Sequence, residues 1–195
     1  MTNKRKVFID CGGHNGSSIR FFKDKYDIDD EFEVHSFEPN DEFVHIYEAL
    51  QEKYENLFCY NVAVSDKDDF VGFYKNVNNS CSNTISSAKG KKKNCGSGVF
   101  GEVTETRVEC IDLSRWIIEN FKKNDYIHLK LDVECEEYRI IEKMIADGSL
   151  SYINFLSIEW HTHYCNKSKK DNDRLEKIIK RENIKIDNRW NTMGH

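Results

Sequence analysis

A glycine-rich loop after a predicted strand is the part of this sequence with the clearest chemical meaning. In KVFIDCGGHNGSS, residues 6–18, an apolar run from Val7 to Ile9 predicts a buried strand, and three glycines follow closely after Asp10. Such glycines allow the backbone to turn sharply and to approach a bound ligand. Residues 17–26 then place apolar side chains on one helical face. The loop residues that we predict to bind a cofactor are Asp10, Gly12, Gly13, His14, Asn15 and Gly16.

A second carboxylate, Glu38, ends the next predicted strand, 28 positions after Asp10. Nucleoside-binding folds place an acidic residue there to accept hydrogen bonds from both ribose hydroxyls, as in NAD or S-adenosylmethionine. The loop reads as an acidic residue followed by G-x-x-x-G, and not as the G-x-G-x-x-G of dinucleotide sites. Because Asp10 would repel a pyrophosphate but attract a sulfonium and an amino group, the pattern favours S-adenosylmethionine. In the alternative interpretation Asp10 satisfies loop amides and Glu38 is a surface carboxylate.

Polar residues also follow two later strands. Asp132 ends the fourth main strand, and Glu159 and His161 end the fifth. The carboxyl ends of neighbouring parallel strands face one ligand crevice, so we expect these three side chains to converge. Two carboxylates and an imidazole suit Mg²⁺ or Mn²⁺, which would favour the alkoxide of an acceptor hydroxyl. Without a metal, His161 or Asp132 would act as general base, with Glu159 orienting the imidazole. The cofactor contacts that we predict beyond the glycine loop are Glu38, Asn61, Ala63 and Asp132.

Apolar segments alternate with helical segments, which is typical of a mostly parallel sheet covered by helices. The length of 195 residues fits one domain, residues 1–195. The fourth main strand alternates, with His128, Lys130 and Asp132 opposite its apolar residues. Residues 76–102 are rich in Asn, Ser, Gly and Lys, and a loop of this length is usually functional or disordered. We predict a lid over an acceptor pocket here, with Ser82, Asn83 and Thr84 contacting substrate hydroxyl groups.

Charge and composition argue against several other classes of protein. The net charge of −5 disfavours a general affinity for nucleic acid, which depends on contacts to phosphate. The seven cysteines show neither a CxxC pair nor a zinc-site spacing, so we expect reduced thiols. No apolar run approaches the roughly 18 residues of a membrane span, and the N-terminus lacks the apolar core of a secretory signal. We therefore expect a cytoplasmic protein.

Five motifs occur in order along the chain: FIDCGGHNG (8–16), SFEPN (36–40), NVAVSD (61–66), KLDVECEE (130–137) and SIEWH (157–161). Together they resemble the FkbM-type methyltransferases, a class I S-adenosylmethionine-dependent family, from Val7 to His161. The fourth motif of that family is similar to K-I-D-V-E-G-A-E. Cys135 replaces its glycine and Glu136 its alanine, which puts the form of the following turn in question. The charged positions that correspond are Lys130, Asp132, Glu134 and Glu137.

The resemblance implies a Rossmann-like three-layer α/β sandwich with a mostly parallel sheet. It also implies O-methylation of a sugar or glycan hydroxyl by in-line attack on the sulfonium methyl group, with Lys130 and Glu134 among the substrate contacts. A class I sheet usually ends in an antiparallel strand pair, but only IKIDNRW, residues 184–190, is left for it, so we expect an abbreviated C-terminal strand pair. An RNA or small-molecule O-methyltransferase, an NAD-linked sugar oxidoreductase and a non-catalytic nucleotide-binding module stay as alternatives.

Overall fold

Strands and helices alternate along the chain, as the sequence predicts. The computed structural model describes residues 4–26, 28, 30–76, 83–87, 94–95, 98–99, 103–162 and 164–188. The strands are β1 Lys6–Cys11, β2 Phe32–Phe37, β3 Leu57–Tyr60, β4 Ala63–Ser65, β5 Asp69–Asn76, β6 Asn94–Cys95, β7 Gly98–Val99, β8 Val103–Asp112, β9 Tyr126–Leu131, β10 Phe155–Ile158 and β11 Lys185–Asp187. The α-helices are α1 Ser17–Tyr26, α2 Val44–Lys53, α3 Leu113–Asn120, α4 Glu137–Asp147 and α5 Lys169–Arg181, and short 3₁₀ helices occupy Asp41–Phe43 and Ser149–Tyr152. Among the described helices, none combines the length and the apolar character needed to cross a membrane.

A six-stranded sheet in the order β11-β10-β9-β1-β2-β3 forms the centre of the fold. Every neighbouring pair in this sheet is parallel. The chain runs from β1 outward to β3 on one side and later returns to β9 on the other side of β1, so the strand order reverses at β1. Ligands bind beyond the carboxyl ends of the strands at such a reversal. The predicted α/β architecture with a mostly parallel sheet is confirmed.

The C-terminal edge of the sheet is short. β11 has three residues and pairs in parallel with β10. The end of the segment IKIDNRW lies outside the described residues, so the expected abbreviated strand pair stays a prediction. The Tyr26 hydroxyl and the Lys25 ammonium of α1 both bind the carboxylate of Asp187. The last described strand is therefore tied to the first helix.

Two apolar clusters lie on opposite faces of the sheet. Phe8 of β1 packs with α1 and α2, whereas its neighbours Val7 and Ile9 pack with α3, α4 and α5. This division follows from the alternation of side chains along a strand. Because helices cover both faces, the fold has the three layers that the sequence predicts.

β9 is more deeply buried than its alternating sequence suggests. His128 and Lys130, which we expected on a polar face, are each 1% exposed. His128 packs edge-on against Phe8 and lies 3.0 Å from the hydroxyl of Ser157. Burial lowers the pKa of His128 to about 3, so its ring is neutral. The polar residues of β9 therefore lie inside the protein, because both faces of the sheet are covered.

A second, three-stranded sheet has the order β4-β8-β5 and contains the extra strand predicted near residues 67–75. β5 pairs with β8 in antiparallel register along its whole length, Asp69–Asn76. Thr84 forms a bridge with Tyr74 of β5, so this part of the predicted lid lies along β5. Ser82 and most of residues 76–102 lie outside the described residues, and the lid stays a prediction.

Alanine at Gly12 should destabilise the fold more than alanine at Gly148. Both glycines have left-handed backbones, with φ of +82° and +79°, so either change introduces about 1–2 kcal/mol of strain. A methyl group at Gly12 would also overlap the carbonyl oxygen of Asp132, whereas nothing lies within 4 Å of one at Gly148. Overpacking of this kind adds about 1–3 kcal/mol. Urea denaturation measures the difference, and equal losses would contradict the close approach of the loop to β9.

Candidate functional site

The loops after β1, β2 and β9 meet at one edge of the central sheet. The backbone N–H groups of Gly12 and Gly13 both donate to the carbonyl of Phe37, at 3.0 and 3.2 Å. On the other side, the N–H of Asp132 donates to the carbonyl of Cys11 at 3.2 Å. These bonds extend the hydrogen-bond ladders between β1 and β2 and between β1 and β9 beyond the ends of the strands. The glycine loop consequently lies between the loops that follow β2 and β9.

The glycines of this loop are required by close packing within the protein. A methyl group at Gly13 would overlap the hydroxyl of Tyr47, and one at Gly16 would contact the side chain of Leu50 too closely. Both of those side chains belong to α2, so α2 lies directly against the loop. At the start of α1, the Asn15 side chain accepts the N–H of Ser17 at 3.1 Å. The predicted cofactor residues Gly12, Gly13, Asn15 and Gly16 therefore shape the loop and position α1 and α2.

Asp10 and Lys130 form an ion pair beneath the glycine loop, with 3.0 Å between Oδ1 and Nζ. Neither side chain is more than 1% exposed. Asp10 Oδ2 accepts the hydroxyls of Ser18 at 2.7 Å and Ser36 at 3.1 Å, and Lys130 donates to the carbonyl of Gly12 at 2.6 Å. Burial alone would lower the pKa of Lys130, but Asp10 and Asp132 outweigh it and raise the pKa.

These contacts differ from the roles that the sequence suggested for the pair. We expected Asp10 to contact the methionine portion of a cofactor and Lys130 to bind substrate. In the structure both side chains point into the protein and hold the loop to β9 and α1. This placement favours the alternative in which Asp10 supports the loop, with hydroxyls and an ammonium as its partners.

Glu38 follows the end of β2 and is 9% exposed. Its Oε2 accepts the N–H of His14, and its Oε1 accepts the N–H of Asn40, both at 2.8 Å. Burial raises the pKa of Glu38 to about 7, although these amide bonds and Lys130 oppose the rise. The exposed Asn61 donates to the carbonyl of Glu38 at 2.9 Å, so two predicted cofactor residues lie together here. Ala63, a third, is buried in β4.

His161 lies among four carboxylates beyond the ends of β9 and β10. Its Nε2 lies 3.3 Å from Glu134, 3.8 Å from Glu159 and 3.9 Å from Asp132. Its Nδ1 lies 2.9 Å from Oε1 of Glu137. Burial would lower the pKa of His161, but the carboxylates outweigh it and raise the pKa to about 9. The imidazole is therefore positively charged at neutral pH.

The expected convergence of Asp132, Glu159 and His161 is present in the structure. Glu134, predicted as a substrate contact, belongs to the same cluster. The prediction missed Glu137 as a site residue, although the family motif contained it. Glu137 lies against Nδ1 of the imidazole, and Glu159 lies near Nε2.

Several of these side chains could hold a divalent cation. Asp132, Glu137 and His161 each offer a ligand atom within 4.8 Å of the others. The oxygens of Glu137 already accept two backbone N–H groups. The carboxylates of Glu134 and Glu159 also face Nε2, at 3.3 and 3.8 Å.

The turn after β9 has an unusual backbone. Glu134 and Cys135 both have positive φ angles, 55° and 99°, so Cys135 adopts a backbone conformation to which glycine is better suited. Thr84 lies against this turn, 2% exposed, and its hydroxyl donates to the carbonyl of Glu134. Asn83 accepts the N–H of Asn76 at 2.9 Å. Of the predicted substrate contacts in the lid, Thr84 therefore supports the Glu134 turn and Asn83 the end of β5.

Comparisons with known proteins give the family and the fold. A family model described as the methyltransferase FkbM domain matches residues 10–186. The solved structure of methyltransferase FkbM from Methylobacillus flagellatus KT is similar, with a TM-score of 0.51 and 12% identity. The match covers 92% of this chain but only 37% of that protein, and at this identity it shows the fold alone. No curated protein matches the sequence.

The family match includes the glycine loop, Glu38 and the cluster around His161, and it reaches into the last described strand. It spans most of the chain and is independent of the structural similarity. The chain belongs to the FkbM methyltransferase family.

Proposed function

We propose that this chain is an S-adenosylmethionine-dependent O-methyltransferase that methylates a hydroxyl group of a sugar or glycan. Membership of the FkbM methyltransferase family supports methyl transfer. The observation that carries the proposal is the arrangement of two polar centres at one edge of the sheet. Glu38 lies on one side of the glycine loop, and the carboxylates around His161 lie on the other. The carbohydrate acceptor is supported by the family resemblance alone.

Glu38 supplies the acceptor for the nucleoside of the cofactor. Each of its carboxylate oxygens accepts one backbone N–H, and a carboxylate oxygen has two lone pairs. Each oxygen can therefore accept one further hydrogen bond, which matches the two neighbouring hydroxyls of a ribose. Asn61 flanks the same strand end.

Methyl transfer joins the acceptor oxygen to the methyl carbon while the sulfur–methyl bond breaks. S-adenosylhomocysteine leaves, and the hydroxyl proton passes to a base. An alcohol is a weak nucleophile at neutral pH, so a positioned base accelerates the step. His161 is already protonated there, since its pKa is about 9. This charge state favours Asp132, whose side chain is 21% exposed, as the base in the metal-free protein.

The donor set also fits Mg²⁺ or Mn²⁺. The carboxylates of Asp132, Glu134 and Glu159 lie 3.3–3.9 Å from Nε2 of His161, and carboxylate oxygens are the ligands that these ions prefer. The holding residues would be Asp132, Glu134, Glu159 and His161. Such an ion lowers the pKa of a hydroxyl bound to it.

Methyl transfer from labelled S-adenosylmethionine should occur to members of a panel of sugars, and the same assay should include RNA and simple alcohols. Exhaustive chelation with EDTA distinguishes the two means of activation: it should abolish transfer, reversibly on addition of Mg²⁺ or Mn²⁺, where a bound ion activates the acceptor, and leave transfer in place where Asp132 alone is the base. The combined change Asp132→Ala and His161→Ala should abolish transfer, because it removes both the base and the ring nitrogen.

A double variant at exposed positions, Asp30→Ala with His45→Ala, is the control and should keep full activity. Activity that survives chelation would remove the metal from the proposal. Full activity without Asp132 and His161 would remove the cluster, and transfer to RNA but not to sugars would overturn the acceptor.

Binding of S-adenosylhomocysteine should strengthen as the pH rises through 7. Ribose hydroxyls favour the charged carboxylate, so the pKa of Glu38 should fall from about 7 on binding. At lower pH the carboxyl must lose its proton to bind, and affinity should fall by up to about tenfold per pH unit. Calorimetry at several pH values measures the effect.

Glu38→Gln should make the affinity independent of pH in this range. Glu38→Ala should weaken binding by about 1.5–3 kcal/mol. Glu42→Gln, at an exposed neighbour, serves as the control. An unchanged dissociation constant in Glu38→Ala would remove Glu38 from the site, and binding of NAD without S-adenosylhomocysteine would overturn the cofactor.

A further inference from the structure

Glu137 is a completely buried carboxylate at the first position of α4. Its side chain turns back toward the preceding loop. Oε1 accepts the N–H of Val133 at 3.0 Å, and Oε2 accepts the N–H of Cys135 at 3.1 Å. A buried charge is tolerated only when hydrogen bonds or an opposite charge compensate for its lost hydration. The start of a helix also favours a negative charge.

The same carboxylate reaches a second loop, the one that follows β10. Its Oε1 lies 2.9 Å from Nδ1 of His161. Glu137 thus connects the two loops that carry the acidic cluster. Since its remaining partners are backbone groups, its position is fixed independently of any ligand.

The contact at Nδ1 determines which way the imidazole faces. With Nδ1 directed at Glu137, Nε2 points to the other side of the ring, where Asp132, Glu134 and Glu159 lie. A carboxylate bound to the second nitrogen of a histidine commonly fixes the ring orientation in metal sites. The backbone of Glu134 has a φ of 55°, and the bonds from Val133 and Cys135 to Glu137 hold the turn on either side of it.

We propose that Glu137 is the positioning residue of this site: it fixes His161 with Nε2 toward the three facing carboxylates and holds the turn that carries Glu134. The proposal rests on the proposed function in so far as the site activates an acceptor. Glu137 acts through His161 and the turn, and it does not contact the reacting atoms.

Glutamine at position 137 is a sharp test, because it has nearly the same shape. Three donors face the two oxygens of Glu137, namely Nδ1 of His161 and two backbone N–H groups. Glutamine has one oxygen and one NH₂ group, so at least one donor would face another donor. The orientation of His161 or the turn must therefore change.

Glu136 provides a matched control in the adjacent position. It is also buried, at 4% exposure, and its carboxylate accepts the hydroxyl of Ser65 at 2.6 Å. Its ion-pair partner is Arg139, which lies in α4. Glu136→Gln therefore removes a buried charge of the same kind without touching His161.

The experiment compares the wild type, Glu137→Gln and Glu136→Gln after circular dichroism has confirmed folding. NMR with ¹⁵N-labelled histidine monitors Nδ1 of His161 without metal or substrate. In the wild type we expect a protonated, hydrogen-bonded Nδ1. Its resonance should change in Glu137→Gln and stay in place in Glu136→Gln. Because the wild-type signal is itself informative, an unprotonated Nδ1 there would overturn the proposal even if Glu137→Gln failed to fold.

Functional readouts separate positioning from general damage. Loss of a carboxylate that orients a metal-binding histidine weakens metal binding or activity by about 10- to 100-fold. We expect such a loss in Mn²⁺ affinity, measured by electron paramagnetic resonance, and in kcat for Glu137→Gln. The dissociation constant of S-adenosylhomocysteine should stay within about twofold, since Glu38 shares none of the hydrogen-bond partners of Glu137.

Wild-type kcat and an unchanged Nδ1 resonance in Glu137→Gln would overturn the proposal. An equal loss in Glu136→Gln would also overturn it, because any buried charge would then have the same effect. If the wild type neither bound Mn²⁺ nor transferred methyl groups, the proposed function would fail, and the NMR comparison would still test the positioning of His161.

Discussion

Between β1 and β9, the carboxylate of Asp10 and the ammonium of Lys130 face each other with almost no exposure to solvent. The pair reaches the Gly12 carbonyl and, through Ser18 and Ser36, α1 and β2. The ion pair therefore connects β1, β9, α1 and β2. Burying two charges is unfavourable unless each finds its partner, and loss of one member of such a pair costs about 3–5 kcal/mol. The glycine loop, which lies between Glu38 and the acidic cluster, is shaped by this contact.

Buried charge has a comparable role on the other side of the site. Glu137 has no exposed surface, and it holds the turn after β9 and the ring of His161 together. The exposed parts of the cluster, at Asp132 and Glu159, are supported by groups that solvent does not reach. The carboxylates of the cluster repel one another, but the positive imidazole of His161 lies among them. The positive charge of the ring follows from the carboxylates around it.

The sequence was sufficient for the order of the elements and for the side chains at the strand ends. Asp132, Glu159 and His161 could be expected together because parallel strands end at the same edge. The inward direction of Lys130 could not be predicted, since an alternating strand looks the same whether its polar face meets water or a covering helix. Glu137 was missed because its burial depends on donors from Val133, Cys135 and His161, which only the folded chain assembles.

The bond between Tyr26 and Asp187 joins residues 161 positions apart, and that between Lys130 and Gly12 spans 118 positions. A domain with many contacts between such distant parts of its chain folds slowly, because the entropy of closing long loops opposes each of them. During synthesis, α1 would emerge long before β11, and the centre of the sheet would lack β9 until most of the chain had left the ribosome. The apolar flank of β1 would be uncovered for that interval. Because the glycine loop is held by Lys130, it cannot take its final form before β9 is present beside β1.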